Sequence, residues 1–282
     1  MIPATPALVP REISLGALTL QGASRATAAS YWRLKEFDIV FDMGHCPQAF
    51  IGASRVFLTH CHLDHAMGVV YWAAQRQMMR MKGGTIFVPA GTEEGMQKVL
   101  TSWAVMQGPR GRYNCEVVAM GDTDVVEIQR GISVRAFRTE HSVPSQGYMV
   151  IEKKEKIRPE FAKLPPLEVG RLKREGQAIT EPVTRVVFAI TGDTTRLPFD
   201  RAPEVATAET LVGECTYISP DHAHLARPMS HLHLNDYADV ANDLRVTRLL
   251  LTHYSLRYKE DDIPTLVRAN VAESLLDRVV VL

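Results

Sequence analysis

Four side chains that can bind metal ions lie close together in residues 59–65, whose sequence is Thr-His-Cys-His-Leu-Asp-His. Imidazole nitrogens and carboxylate oxygens are ligands that Zn²⁺ accepts. His60 and His62 alternate along an extended chain, so both can face one point. Asp64 and His65, at the turn into the next helix, can reach a second point nearby. The segment therefore predicts a site for two metal ions about 3.5–4 Å apart.

Three further candidate ligands each follow a separate predicted strand. His141 comes after residues 133–137, Asp193 lies in a Gly-Asp-Thr turn after 185–191, and His253 follows 248–252. Taken singly, each could be a core or capping residue. Because ligands of a site in a sheet protein arrive on loops after strands, we interpret the three together as metal ligands.

The elements that must position these side chains follow from the apolar pattern. Strands are predicted over 13–20, 30–34, 38–41, 55–59, 85–88, 115–119, 125–128, 133–137, 148–152, 185–191, 211–213 and 248–252. Helices are predicted over 66–81, 92–106 and 234–244, with one more beginning near Pro264.

Residues 153–182 break this pattern. Basic residues outnumber acidic ones there, around a Pro165-Pro166 pair. We interpret the segment as a short basic excursion from the fold that contacts RNA phosphates, since such contacts favour local Lys/Arg clusters. A solvated loop is the alternative.

Composition limits the function classes. The 282 residues, 46% of them hydrophobic, can form one large domain, and 32 Lys+Arg against 32 Asp+Glu leave no global positive field. No signal-peptide pattern opens the chain, and no run of about 18 uncharged apolar residues occurs. Four widely spaced cysteines fit a reducing compartment. We therefore expect a cytoplasmic protein without membrane segments. Cys61 alternates with His60 and His62, so we expect its side chain to point away from them and to have a packing role.

The ligand pattern resembles the metallo-β-lactamase superfamily, with its His-x-His-x-Asp-His loop followed by an isolated His, an Asp and a final His. The resemblance implies an α/β fold, a four-layer αβ/βα sandwich, as a single domain over residues 1–282. It also implies two Zn²⁺ ions, which Mn²⁺ or Fe²⁺ could replace. Its ligand sets are His60, His62 and His141 for one ion and Asp64, His65 and His253 for the other, with Asp193 bridging.

Other segments resemble ribonuclease Z in particular. Residues 252–258, Thr-His-Tyr-Ser-Leu-Arg-Tyr, match that family's ending, and residues 214–216 resemble its Glu-Ala/Ser-Thr element. The resemblance implies a homodimeric endoribonuclease that removes the 3′ trailer from precursor tRNA by attack of a metal-bound hydroxide on a phosphodiester. Asp64 and three further residues would serve catalysis. Glu214 would orient His231 as general acid for the departing 3′-oxygen, and Arg257 would bind a phosphate.

Two features depart from the family. His231-Leu232-His233 replaces the usual His-Ser-Thr, so His233 is an alternative general acid. The excursion occupies the place of the family's tRNA-binding arm but lacks its Gly-Pro-rich tip. His222 and His224 form another His-x-His pair without a third partner, and we interpret them as surface residues.

Two other function classes stay open. Another hydrolase on this scaffold, such as a cyclic-nucleotide phosphodiesterase, a lactonase or a thiolesterase, would turn over small esters without preference for tRNA. A metal-stabilised RNA-binding protein without catalysis would bind tRNA and leave it intact.

Overall fold

Two mixed sheets of seven strands each form the centre of the computed structural model, which describes residues 8–108 and 111–282. The first sheet contains, in spatial order, β1 (Arg11–Ser14), β2 (Thr19–Arg25), β3 (Ala29–Leu34), β4 (Ile39–Met43), β5 (Arg55–Phe57), β6 (Gly84–Pro89) and β7 (Cys115–Met120). The second contains β8 (Val125–Gln129), β9 (Ile132–Arg138), β10 (Gln146–Ile157), β11 (Thr180–Ile190), β12 (Thr210–Glu214), β13 (Arg248–Thr252) and β14 (Val279–Val281).

Each sheet changes from antiparallel to parallel pairing halfway across. Strands β4 to β7 are parallel in the first sheet, and β11 to β14 are parallel in the second. The carboxyl ends of parallel strands meet at one edge, where loops can converge. The segments after β5, β11 and β13 carry the candidate metal ligands other than His141. His141 lies between β9 and β10, and β10 begins beside the end of β11, so the topology brings all the candidate ligands to one edge.

The helices are α1 (Leu63–Ala66), α2 (Gly68–Met78), α3 (Glu93–Gln107), α4 (Pro166–Arg174), α5 (Leu197–Arg201), α6 (Ala223–Ala226), α7 (Leu234–Asp239) and α8 (Ile263–Asn270). Helices α2 and α3 cover the outer face of the first sheet, and α7 and α8 cover that of the second. Between the sheets, Phe41 of the first sheet stacks on Phe188 of the second, with ring centroids 5.5 Å apart. Within the first sheet, Phe57 stacks on Phe87, with centroids 4.4 Å apart. Separate apolar clusters join each sheet to its helices. The predicted four-layer αβ/βα sandwich is confirmed.

Strand boundaries differ from expectation near the amino terminus. The apolar pattern predicts one strand over residues 13–20, but a turn closed by Leu15 N donating to Leu18 O separates β1 from β2. Gly16 adopts φ 80° in this turn, a conformation that glycine reaches without steric cost.

The basic excursion is more regular than its sequence indicates. Strands β10 and β11 stay paired to Ile157 and Thr180, so the ends of residues 153–182 continue the second sheet as a two-stranded ladder. Helix α4 lies at its far end. The ladder escaped prediction because its side chains are exposed on both faces, which removes the alternation of apolar and polar residues. We call residues 153–182 the arm.

The described part of the chain contains no helix long and apolar enough to span a membrane. Residues 1–7, which belong to the segment without a signal-peptide pattern, lie outside the described residues.

Candidate metal centre

The first group of candidate ligands converges from three loops. Nδ1 of His62 lies 3.1 Å from Nε2 of His60 and 3.3 Å from Nε2 of His141. Oδ2 of Asp193 lies 3.7 Å from Nε2 of His60 and 3.9 Å from Nε2 of His141. Three ring nitrogens and one carboxylate oxygen therefore surround one point.

The second group lies beside the first. Nε2 of His65 is 3.3 Å from Nε2 of His253, and Oδ2 of Asp64 is 3.8 Å from both nitrogens. Oδ1 of Asp193 lies 3.4 Å from each of the same two nitrogens. This set also comprises four potential ligand atoms.

Asp193 belongs to both groups, with Oδ2 facing one and Oδ1 facing the other. The residue is buried, and Oδ1 has no hydrogen-bond partner among the described residues. A buried carboxylate oxygen without a partner is unfavourable unless a cation satisfies it. The main chain at Gly192 passes close to Thr59, since a Cβ at that position would lie 2.5 Å from Cβ of Thr59. Glycine therefore allows the backbone position from which Asp193 reaches the site.

The separations fit metal coordination. Bonds of about 2.0–2.1 Å in a tetrahedral arrangement place neighbouring ligand atoms about 3.3 Å apart. The nitrogen–nitrogen separations in the two groups are 3.1 and 3.3 Å. The ligands in both groups are histidine and aspartate side chains, which suit divalent ions such as Zn²⁺. The residues present therefore fit two divalent ions.

The electrostatics of the cluster favour positive charge at its centre. Burial acts to lower the pKa of His65, but Asp193 and Asp42 outweigh it and raise that pKa to about 10. Burial acts to raise the pKa of Asp193, yet His253, His65 and the other histidines hold it well below its usual value. A bound cation would be stabilised by the same carboxylates.

In four of the histidines, Nδ1 points away from the other candidate ligands and has a polar partner. Nδ1 of His65 lies 2.8 Å from Oδ2 of Asp42, and Nδ1 of His141 donates to Ser230 O over 3.0 Å. Hydroxyl groups lie beside the other two, Thr59 Oγ1 at 3.0 Å from His60 and Thr216 Oγ1 at 3.1 Å from His253. Such partners fix the ring orientation and the tautomer of a metal-binding histidine.

Sequence reasoning missed Asp42 and Thr216 as members of the site. Asp42 is 1% exposed and also accepts from N and Oγ1 of Thr59. The signal available was a buried carboxylate at the end of an apolar strand, which needs a partner. Asp42 and His253 both have positive φ, 55° and 63°, a strained conformation that is concentrated at functional sites.

A carboxylate–histidine pair borders the two ligand groups. Oε1 of Glu214 lies 2.9 Å from Nδ1 of His231, whose ring centroid is 5.5 Å from that of His253. Glu214 is fixed by N of Thr194 and by N and Oγ1 of Thr216. Burial acts to lower the pKa of His231, but Glu214 outweighs it and raises that pKa to about 9. His231 can therefore carry a proton at neutral pH.

The neighbouring His233 has a different environment. Its Nδ1 accepts from N of Asn235 and caps helix α7, and its Nε2 donates to Ser219 O. Both ring nitrogens thus bind main-chain groups. His224 is exposed, and His222 is half-buried with Nδ1 2.8 Å from the hydroxyl of Tyr258.

Arg257 lies on the exposed loop after His253. Within the described residues, no carboxylate lies close enough to form an ion pair with its guanidinium, including those of the nearby Asp261 and Asp262. Burial raises the pKa of Tyr217, and the charge of Arg257 opposes that shift. Arg257 is therefore within electrostatic reach of Tyr217, whose ring centroid lies 6.4 Å from that of His231.

Comparison with known proteins agrees with this geometry. The profile of a beta-lactamase superfamily domain matches residues 44–254. The chain is 31% identical over 237 residues to tRNase Z TRZ1 of Arabidopsis thaliana, covering 82% of this chain and 83% of that protein. It is 29% identical over 259 residues to the chloroplastic tRNase Z TRZ2 of the same plant, covering 90% and 72%.

Solved structures share the fold. The metallo-beta-lactamase fold protein YhfI of Bacillus subtilis superposes with a TM-score of 0.60 at 13% identity, covering 92% of this chain and 93% of that one. The short form of human tRNase Z superposes with a TM-score of 0.57 at 18% identity, covering 84% and 91%. The chain therefore belongs to the ribonuclease Z family of the beta-lactamase superfamily, a family of metal-dependent endoribonucleases.

Proposed function

We propose that this protein is a zinc-dependent endoribonuclease that removes the 3′ trailer from precursor tRNA. The observation that carries the proposal is the Glu214–His231 pair beside the ligand cluster. In that cluster, one carboxylate oxygen of Asp193 faces each of the two ligand groups. A metal centre alone suits many hydrolases, but a positioned proton donor beside it suits a reaction with a poor leaving group, such as a ribose 3′-oxygen.

His60, His62 and His141 would hold one Zn²⁺, and Asp64, His65 and His253 the other, with one oxygen of Asp193 to each. When bound, the ions would supply a hydroxide nucleophile near neutral pH and neutralise charge on the phosphate. Four of the histidines have their outward nitrogens partnered, which orients the inward ones. The protein's contribution is a fixed, largely buried set of donor atoms.

His231 would act as the general acid. Its Nδ1 proton is directed to Glu214, so the proton available to the departing 3′-oxygen is on Nε2. The carboxylate both orients the ring and stabilises its protonated form. The main-chain partners of His233 support His231 as the acid. Arg257 would bind a substrate phosphate through its planar guanidinium.

The arm would bind the tRNA body. Six of its basic side chains have no carboxylate within ion-pair distance among the described residues: Lys153, Lys156, Arg158, Lys163, Lys173 and Arg174. All of these are exposed except Arg158, which is half-buried. Exposed Lys and Arg side chains without an ion-pair partner are the groups that bind phosphates. Lys154 and Arg171, by contrast, pair with neighbouring glutamates.

We further propose a homodimer of single-domain chains that works in the cytoplasm. Helices α2 and α3 expose large apolar side chains, among them Tyr71, Met78, Trp103 and Met106. A patch of this kind is typical of an interface. All four cysteines are free, as a reducing compartment favours. Light scattering after gel filtration would measure twice the chain mass for a dimer.

The test of the function compares two substrates. Purified zinc-loaded protein is incubated with a 3′-extended precursor tRNA and, separately, with a small phosphodiester. We expect endonucleolytic cleavage at the 3′ end of the tRNA body, abolished by Asp64→Ala and slowed about 10²–10⁴-fold by His231→Ala. His224→Ala, which removes an exposed histidine outside the cluster, is the matched control and should cleave normally.

Two outcomes would overturn the proposal. Turnover of the small ester with intact tRNA would indicate another hydrolase of this superfamily. Zinc and tRNA binding without any cleavage would indicate an RNA-binding protein.

A further inference from the structure

Residues 25–27, at the end of β2 and in the turn that follows it, contact two parts of the site. N of Thr27 donates to Oδ2 of Asp64 over 2.8 Å, and N of Ala26 donates to Tyr254 O over 3.3 Å. Arg25 donates from its guanidinium to Tyr258 O. Three successive residues therefore contact a candidate metal ligand and both ends of the segment 254–258, which carries Arg257.

Arg25 is an unusual residue for such a turn. It is only 6% exposed, and burial lowers its pKa because the guanidinium loses hydration. Its Nε has no hydrogen-bond partner among the described residues. A buried charge adds little to stability compared with an apolar side chain of similar volume, so its specific contact is the informative feature.

The segment that Arg25 contacts is also held through the side chains of its two buried tyrosines, since the hydroxyl of Tyr254 donates to Leu251 O and that of Tyr258 lies 2.8 Å from Nδ1 of His222. The hydroxyl of Tyr258 accepts from N of Ile218 and of Ser219, and N of Ser255 donates to Thr216 O. Arg257 itself is exposed, and its backbone N donates to Oγ of Ser255 over 3.3 Å. The contact from Arg25 is to the main-chain carbonyl of Tyr258, the residue directly after Arg257, so it holds the backbone next to that exposed side chain.

We propose that Arg25 is a positioning residue for Arg257, and that the β2–β3 turn couples the place of that phosphate-binding arginine to Asp64. This inference rests on the proposed function, because Arg257 is assigned there to a substrate phosphate. Arg25 does not contact substrate. It fixes one end of a short loop whose other end begins at the ligand His253.

The structure supplies a matched control. Arg76 is 4% exposed and likewise donates to main-chain carbonyls, those of Ile51, Gly52, Ala53 and Lys82. It belongs to helix α2, and its hydrogen bonds among the described residues involve none of the candidate ligands. Arg76→Met thus removes a buried arginine with the same kind of contacts at another place.

The experiment is a double-mutant cycle of Arg25→Met and Arg257→Ala, with kcat/KM measured on precursor tRNA and metal content and Tm measured in parallel. We expect Arg25→Met alone to lower kcat/KM about 10- to 100-fold with both metals retained. In the Arg257→Ala background the same change should cost less than about twofold, because coupled residues are not additive. Arg76→Met should be additive with Arg257→Ala.

Two results separate the possible failures. Additive effects of Arg25→Met and Arg257→Ala in an enzyme that cleaves precursor tRNA would overturn the positioning role. Wild-type protein that leaves precursor tRNA intact would instead overturn the proposed function. Should Arg25→Met not fold, the cycle is run with Arg25→Gln, which keeps a polar head but is too short to reach Tyr258, with the same expected and contrary outcomes.

Discussion

Oδ2 of Asp42 lies 2.8 Å from Nδ1 of His65, so a buried carboxylate from β4 supports an imidazole from helix α1. Partners of this kind tune metal affinity through the basicity and orientation of the ring. We expect Asp42→Ala to weaken metal binding about 10- to 100-fold, measured by competition with a chromogenic chelator. Asp38→Asn, four residues earlier and more exposed, should bind metal normally. Unchanged affinity in Asp42→Ala would contradict a supporting role.

A change at Glu214 should move the pH dependence of cleavage. Glu214 raises the pKa of His231, so the protonated acid is present at neutral pH and is lost as the pH rises through that value. Glu214→Gln removes the negative charge and lowers the pKa of His231. We therefore expect the alkaline limb of the kcat/KM profile to shift to lower pH, with kcat reduced about 10²-fold. The measurement is a pH profile of single-turnover cleavage.

Glu209→Gln is the control for that profile, because Glu209 directly precedes β12, pairs with Arg185 and is far less buried. Its alkaline limb should coincide with that of the wild type. If the limb also stays in place in Glu214→Gln, His231 is not the group whose deprotonation limits the rate.

Neutralising the arm should weaken binding of tRNA without changing the chemistry. In the triple variant Lys153→Gln, Lys156→Gln and Lys163→Gln, KM for precursor tRNA should rise. The salt dependence of KM should also become shallower, by about one unit of slope for each phosphate that the arm no longer binds. Turnover of a small phosphodiester should stay the same, since the arm is distant from the ligands.

The matched control removes three exposed lysines elsewhere, at positions 35, 82 and 98. Both triple variants change the net charge equally, so a specific effect of the arm separates from a general decrease in positive charge. Equal rises in KM in the two variants would rule out dedicated binding by the arm.

Gly192→Ala should disturb the centre through the backbone. The residue has φ 61°, and an added Cβ would lie 2.5 Å from Cβ of Thr59, so Asp193 must shift. We expect a decrease of about 1–3 kcal/mol in the free energy of unfolding, together with weaker metal binding. Urea denaturation followed by fluorescence measures the first effect.

Gly95→Ala provides the opposite expectation for the same substitution. Gly95 lies inside helix α3 with nothing within 4 Å of an added Cβ, so alanine should stabilise by about 0.5–1 kcal/mol. A Gly192→Ala protein as stable as the wild type would show that the loop accommodates a Cβ without strain.

The sequence predicted most of the fold and the placement of the candidate ligands, because both follow from strand ends. Residues 55–59 and 248–252 are short apolar runs, and His60 and His253 come directly after them. The turn at Gly16 was missed because the apolar pattern continues through it. The strand that contains Lys153 was not predicted in full because the ladder exposes its side chains on both faces.

The supporting residues could not be predicted, since their roles depend on distant partners. Asp42 and His65 are 23 positions apart, and no local pattern pairs them. His231 and His233 are equivalent in the sequence, and only the structure places one against Glu214 and the other at the start of helix α7. Arg25 acts on a carbonyl 233 positions away.

The pairing of β10 with β11 contains one irregularity, between Val150 and Ile151, where β11 has an extra residue. Val187 is the unpaired residue and is buried in the apolar cluster between the sheets. A bulge of this kind bends the strand and resets its twist. Beyond the bulge, residues can be added to or removed from both strands together. Each residue added to both strands would lengthen the arm by about 3.4 Å, with the register of the sheet before the bulge unchanged.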